Sequence, residues 1–156
     1  MKIHFVCRGN VYRSRIVEAY AKSLRLNGVC ISSSGIEADR HYPPNEFPPA
    51  YLAQWARLTA QEHNLDLKLS PNRTQTTSQL LNHRDYIVFV SASVFKDALN
   101  KYSFNQSNTK IWALKDVGDW SKQEPSNQWS DRQKRDYTFA QIKKELDKLF
   151  IELKII

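Results

Sequence analysis

The first 35 residues leave this chain few folds to choose from. Ile3, Phe5 and Val6 make a short apolar strand, Gly9 and Asn10 break it, and Ile16, Ala19, Tyr20, Ser23 and Leu24 then recur at helical spacing. Val29 to Ser33 reads as a second strand closed by Gly35. A strand, a helix and a strand within so short a span imply parallel pairing through a right-handed crossover, since antiparallel neighbours need only a hairpin.

The remainder keeps the alternation. An irregular stretch from Ile36 to Pro49 carries four prolines, Ala50 to His63 is helical in pattern, and a short helix is expected near Ser78 to Asn82. Asp85 to Ser91 is the clearest buried strand, helical residues follow to about Tyr102, and Thr109 to Leu114 makes a fourth strand. In the last helix Phe139, Ile142, Leu146, Leu149, Phe150 and Leu153 fall at spacings of three and four, a core-facing stripe. The chain has no internal repeat and no linker, so residues 1–156 are expected to form one domain. Its class is α/β: a doubly wound four-stranded parallel sheet with helices on both faces.

In such sheets ligands bind beyond the carboxyl ends of the strands. Two loops lie there. One is Cys7 to Ser14; the other, Asp116 to Trp120, follows the fourth strand, so the two can meet although 112 residues separate Cys7 from Asp119. The first loop suits an anion, because unpaired amides and the helix dipole converge where the strand feeds the helix. Gly9 permits close backbone approach, and Asn10 tolerates the left-handed conformation that turns successive amides inward. Arg8, Gly9, Asn10, Val11, Tyr12, Arg13 and Ser14 are the candidate phosphate-binding residues. Arg13 brings a guanidinium fork from the side. The same amides, the helix end and Arg13 favour the thiolate of Cys7 over the thiol, and Ser14 can donate a hydroxyl to the sulfur.

The charge lies in the same place. The net charge is +7, and residues 1 to 35 hold six basic side chains against one acid, Glu18. That excess suggests an anionic partner. Nucleic acid is not expected, because no recognition helix or stacking stripe accompanies it. Two cysteines are too few for a disulfide framework, the N-terminal apolar stretch is too short for a signal peptide, and no apolar run approaches a membrane span. A cytoplasmic protein with no membrane partner is expected. Cys30, inside the second strand, is expected in the core. The four histidines show no metal-ligand spacing, and neither a metal nor another cofactor is expected.

Cys7, Gly9, Asn10, Arg13 and Ser14 together resemble the signature C-x-G-N-x-C-R-S-P of the low-molecular-weight protein tyrosine phosphatases. The likeness extends to Ser34-Gly35 after the second strand and to Asp116-Val-Gly-Asp119-Trp after the fourth, so it covers nearly the whole chain. It implies a phosphotyrosine protein or aryl phosphate as substrate, Cys7 as nucleophile, Arg13 as phosphate clamp and Asp119 as general acid and base, with Asp116 the substitute. Tyr42 and Trp120 are candidate walls for the substrate ring.

The chain departs from the pattern at several points. Tyr12 replaces the second loop cysteine, Arg15 replaces the proline after the serine, and Gly118 and Trp120 stand where the acid loop usually has prolines. Loss of the neighbouring thiol removes a trap for oxidised Cys7. Arg8, where the family has an apolar residue, is a cation that could favour acidic substrate sequences. The altered acid loop keeps a second reading open, a catalytically impaired phosphotyrosine-binding module. Arsenate reductase on the same fold needs further cysteines, and none lies between residues 75 and 95. Nothing in the sequence sets an oligomeric state.

Overall fold

A computed structural model describes residues 1–40, 49–67, 73–116 and 128–156. Four parallel strands form one sheet: β1 (Lys2–Cys7), β2 (Cys30–Gly35), β3 (Tyr86–Phe89) and β4 (Thr109–Ile111), in the order β2-β1-β3-β4. The helices among the described residues are α1 (Arg13–Ser23), α2 (Pro49–Glu62), α3 (Ser78–Asn82), α4 (Ala92–Lys101) and α5 (Asp131–Glu152). From β1 the chain crosses one way to β2 and from β3 the other way to β4. Right-handed crossovers therefore put α1 and α4 on opposite faces and leave a switch point at the carboxyl end of β1.

β1 is buried from Ile3 to Cys7, as a central parallel strand covered on both faces must be. Its pairing fixes which residues share a face. His4, Ser32 and Ile87 lie in register, as do Val6, Ser34 and Phe89, and they look toward α3 and α4. Phe5, Ser33 and Val88 look the other way, toward α1. On the first face Phe89 packs against Phe95 and Phe104, with ring centroids 5.2 and 5.7 Å apart. On the second, α1, α2 and α5 form one layer, joined by Tyr12 on Trp55 and Tyr20 on Phe139 at 5.6 and 5.4 Å. The stripe expected on α5 is there: Ile142, Leu146, Leu149 and Phe150 are buried.

Two expectations change. The fourth strand ends at Ile111 rather than Leu114, although the amides of Trp112 and Leu114 still donate to Phe89 and Val90 at 2.8 and 2.9 Å, so the chain keeps company with β3. Cys30 is exposed, not core, because β2 is an edge strand and Cys30 opens it. No helix among the described residues is long and apolar enough to cross a membrane.

Candidate active site

Cys7 ends β1 at the switch point, and the loop from Arg8 to Tyr12 carries the chain into α1. The helices α3, α4 and α5 each have a side-chain N-cap, from Thr77, Ser91 and Ser130. α1 has none, and no acid stands in its first turn. Its leading amides are left for an anion.

The left-handed position in the loop is Asn10, at φ 51°. Gly9 does not carry it: among the described residues the one glycine with positive φ is Gly28. Close approach does demand a glycine at Gly35, at the end of β2. A Cβ there would lie 2.5 Å from the Asn10 amide nitrogen, 2.6 Å from the Arg8 carbonyl oxygen and 2.7 Å from the Gly9 carbonyl carbon. All three are backbone atoms, so nothing could move aside without reshaping the loop. Hydrogen bonds pin the same approach: Ile36 and Glu37 amides donate to the Cys7 and Arg8 carbonyls at 3.0 and 2.8 Å.

Around the buried sulfur the donors form a chain with one consistent direction. Glu18 accepts from Lys22 and, at 2.6 Å, from the Ser33 hydroxyl. With its proton so used, Ser33 Oγ accepts from Asn10 Nδ2 at 2.9 Å, and the second hydrogen of that amide goes to Ser14 Oγ at 3.1 Å. Asn10 Oδ1 accepts from the Thr74 amide at 2.9 Å, which fixes which way the side-chain amide points. Ser14 keeps its own proton for Cys7 Sγ, 2.9 Å away. The Asn10 backbone amide adds a second donor to Sγ at 3.1 Å. Two hydrogen-bond donors are thus directed at this one sulfur.

Arg13 is buried at the start of α1, and its fork is held from behind. Nη1 donates to the Leu114 carbonyl at 3.1 Å and Nη2 to Asp116 Oδ2 at 2.8 Å. A guanidinium has five N–H donors, so others are left for an oxyanion. The Arg8 side chain turns away from this cradle: Nη1 meets Glu37 at 3.1 Å and Nη2 meets Asp97 at 2.7 Å. Its charge is committed to the protein's own carboxylates. Burial works against the Glu37 carboxylate, yet the hydrogen bond from Arg40 and the charges of Arg8 and Lys101 outweigh it and hold that carboxyl below its ordinary range.

Tyr12, at the second cysteine position of the signature, buries its ring edge-on against Trp55, and burial pushes its phenol up to about 12. Val11 is buried too. Tyr42, Gly118, Asp119 and Trp120 lie outside the described residues. Three features do not show in the sequence: the Glu18 to Ser14 relay, the grip of Asp116 on Arg13, and the close approach of Gly35 to the loop backbone. Glu18 had left one signal, as the lone acid in a basic N-terminal stretch.

The fold is shared with solved structures that span nearly the same length. A protein tyrosine phosphatase from Entamoeba histolytica superposes with a TM-score of 0.68 at 17% identity, covering 99% of this chain and 97% of that one. The tyrosine phosphatase Wzb from Escherichia coli K30, solved with sulphate, gives 0.66 at 20% identity over 95% and 97%. The YwlE arginine phosphatase from Geobacillus stearothermophilus gives 0.55 at 20% identity over 97% and 94%. No curated protein matches the sequence. The family described as low molecular weight phosphotyrosine protein phosphatase does match, from residue 2 to residue 155, and the chain belongs to it.

Proposed function

We propose that this protein is a phosphotyrosine protein phosphatase that hydrolyses aryl phosphate monoesters through a phosphocysteine intermediate. The observation that carries the reading is a sulfur receiving the Ser14 hydroxyl and the Asn10 amide at 2.9 and 3.1 Å, at the uncapped end of α1. In this mechanism the Cys7 thiolate attacks phosphorus in line, a P–S bond forms as the P–O bond to the aryl group breaks, and Asp119 gives its proton to the departing oxygen. Arg13 and the loop amides hold the equatorial oxygens. Water then attacks phosphorus while Asp119 takes its proton, and the P–S bond breaks to return the thiolate and release phosphate. Ser14, already bonded to the sulfur, stabilises it as a leaving group. Tyr42 and Trp120 would flank the substrate ring, and the setting is cytoplasmic.

Phenyl phosphate and p-nitrophenyl phosphate test the assignment together. Wild type should release phosphate from both at mildly acid pH, and Cys7→Ser should fall to background. Asp119→Ala should lose about 10²-fold or more with phenyl phosphate and less with the nitro compound, whose leaving group needs the proton less. No release by wild type would refute the enzyme and leave a phosphotyrosine-binding module. A phosphoarginine arm belongs in the assay, because one structural relative is an arginine phosphatase; preference for it would overturn the aryl substrate class.

A further inference from the structure

Tyr12 stands at a joint of the candidate site: it is the last loop residue before Arg13 and the N-cap of α1. Its side chain does not cap the helix. It turns instead into the layer of α1, α2 and α5, where it is buried and meets Trp55 edge-on at 87°, with ring centroids 5.6 Å apart. The Tyr12 hydroxyl makes no hydrogen bond among the described residues. The ring, rather than the oxygen, therefore ties this residue to the layer.

The surface that receives the ring is braced. Trp55 is buried on α2 and packs against Tyr51, with centroids 5.7 Å apart. The Tyr51 hydroxyl donates to Asp131 Oδ2 at 2.8 Å, in the first turn of α5. At the other end of α2, Glu62 accepts from the buried Arg135 of α5 at 2.7 Å. Trp55 thus lies along α2 between two ties to the same neighbouring helix. The contacts of Arg13 with Leu114 and Asp116 grip its guanidinium, not the backbone that carries it. That backbone is placed by Tyr12, whose carbonyl accepts from the Ile16 amide at 2.9 Å and begins the helix. A shift at Tyr12 would move Arg13 and the leading amides of α1 together, and misplacing such groups by about 1 Å can cost on the order of 10²-fold in rate.

We propose that Tyr12 is a positioning residue: its ring, set edge-on against Trp55, fixes the orientation of Arg13 and of the leading α1 amides toward a bound oxyanion. Where the family signature has a cysteine, this chain hands the placement of the loop to α2 and α5. Putting the cysteine back should then impair the site rather than improve it. The catalytic half of this inference rests on the phosphatase reading above.

Isothermal titration with tungstate, an oxyanion that mimics phosphate, tests the assignment in wild type, Tyr12→Phe, Tyr12→Cys and Leu146→Ala, with a reducing agent throughout. Phenylalanine keeps the ring and removes only an unbonded hydroxyl, so Tyr12→Phe should bind tungstate within about twofold of wild type and melt no lower. Tyr12→Cys withdraws the ring and should weaken tungstate binding and lower kcat/KM for p-nitrophenyl phosphate, each at least about tenfold. Leu146→Ala opens buried space on α5 away from the loop; it should melt below wild type yet bind tungstate within about twofold of it. If Tyr12→Cys is unfolded at the assay temperature, Tyr12→Leu, which fills the space without an edge-on ring, takes its place with an expected loss of at least about threefold. Affinity unchanged in the cysteine or leucine variant, or an equal loss in Tyr12→Phe or Leu146→Ala, overturns the assignment. Tungstate bound by wild type and weakened in Tyr12→Cys, with no phosphate released from aryl esters, would refute the reaction and leave the positioning of Arg13 standing.

Discussion

Lowering the pH from 7.5 to 5.0 should cost the fold about 2 kcal/mol at one side chain, His4. His4 sits in the middle of the central strand with no exposed surface, Nδ1 against Ser32 Oγ at 2.7 Å and Nε2 against Ser34 Oγ at 2.8 Å. Ser34 Oγ in turn meets Thr76 Oγ1 at 2.7 Å. Burial first, and then the charge of Arg84, pull the imidazole down from 6.5 to about 3. The folded protein therefore holds it neutral while the unfolded chain takes up a proton near 6.5. Stability from this group is complete above pH 6.5, falls as the pH drops, and levels off near 3. At about 1.4 kcal/mol per tenfold, the whole span amounts to ~5 kcal/mol, of which ~2 is lost by pH 5.0. Urea unfolding at the two pH values measures it, with His4→Gln as control, since glutamine keeps polar atoms for the serines and does not titrate. The pH-dependent loss should be about 2 kcal/mol smaller in the variant. His4 ring resonances titrating near 6.5 in the folded protein, or equal losses in both proteins, would refute the reasoning.

Gly35→Ala should destabilise the fold by about 1–3 kcal/mol and lower kcat/KM at least about tenfold, because the new methyl meets loop backbone on three sides; chemical denaturation and aryl phosphate kinetics read the two effects. Ser14→Ala removes a donor 2.9 Å from the sulfur, and the kcat for p-nitrophenyl phosphate should drop about 10- to 100-fold, as the loss of one hydrogen bond to a charged group predicts. Asp116→Ala frees Nη2 of Arg13; steady-state kinetics should show kcat/KM falling several-fold with the melting temperature nearly unchanged, since Asp116 is half exposed. Cys30→Ser should leave both activity and stability within about 0.5 kcal/mol of wild type, as an exposed edge position allows.

Local patterns along the chain were enough for the layered architecture. The apolar run of β1, the helical spacing behind it and the stripe on α5 each reflect periodicities of two or 3.6 that a backbone imposes on any sequence burying one face. The Cys7 loop was legible for a similar reason: Cys7, Asn10, Arg13 and Ser14 are neighbours in sequence, although Gly35, Ser33 and Thr74 hold its shape from outside. The exposure of Cys30 was not legible, since an apolar residue in a strand reads the same whether the strand lies at the centre or at the edge of the sheet. Strand order is a property of the whole chain.

By itself, then, the sequence determined the parallel α/β fold and the place of Cys7 and Arg13 in the loop after the first strand, because these depend on short-range periodicity and on one contiguous loop. Tertiary structure decided the rest. It brought Ser33 and Glu18 into a relay behind Asn10, set Asp116 behind Arg13 across 103 residues, and pressed Gly35 against the loop backbone. It also sealed His4 among serines in its neutral form. Hydrogen bonds and pKa shifts depend on distances of a few ångströms between atoms far apart in sequence, and only the packing of the sheet and its helices sets those distances.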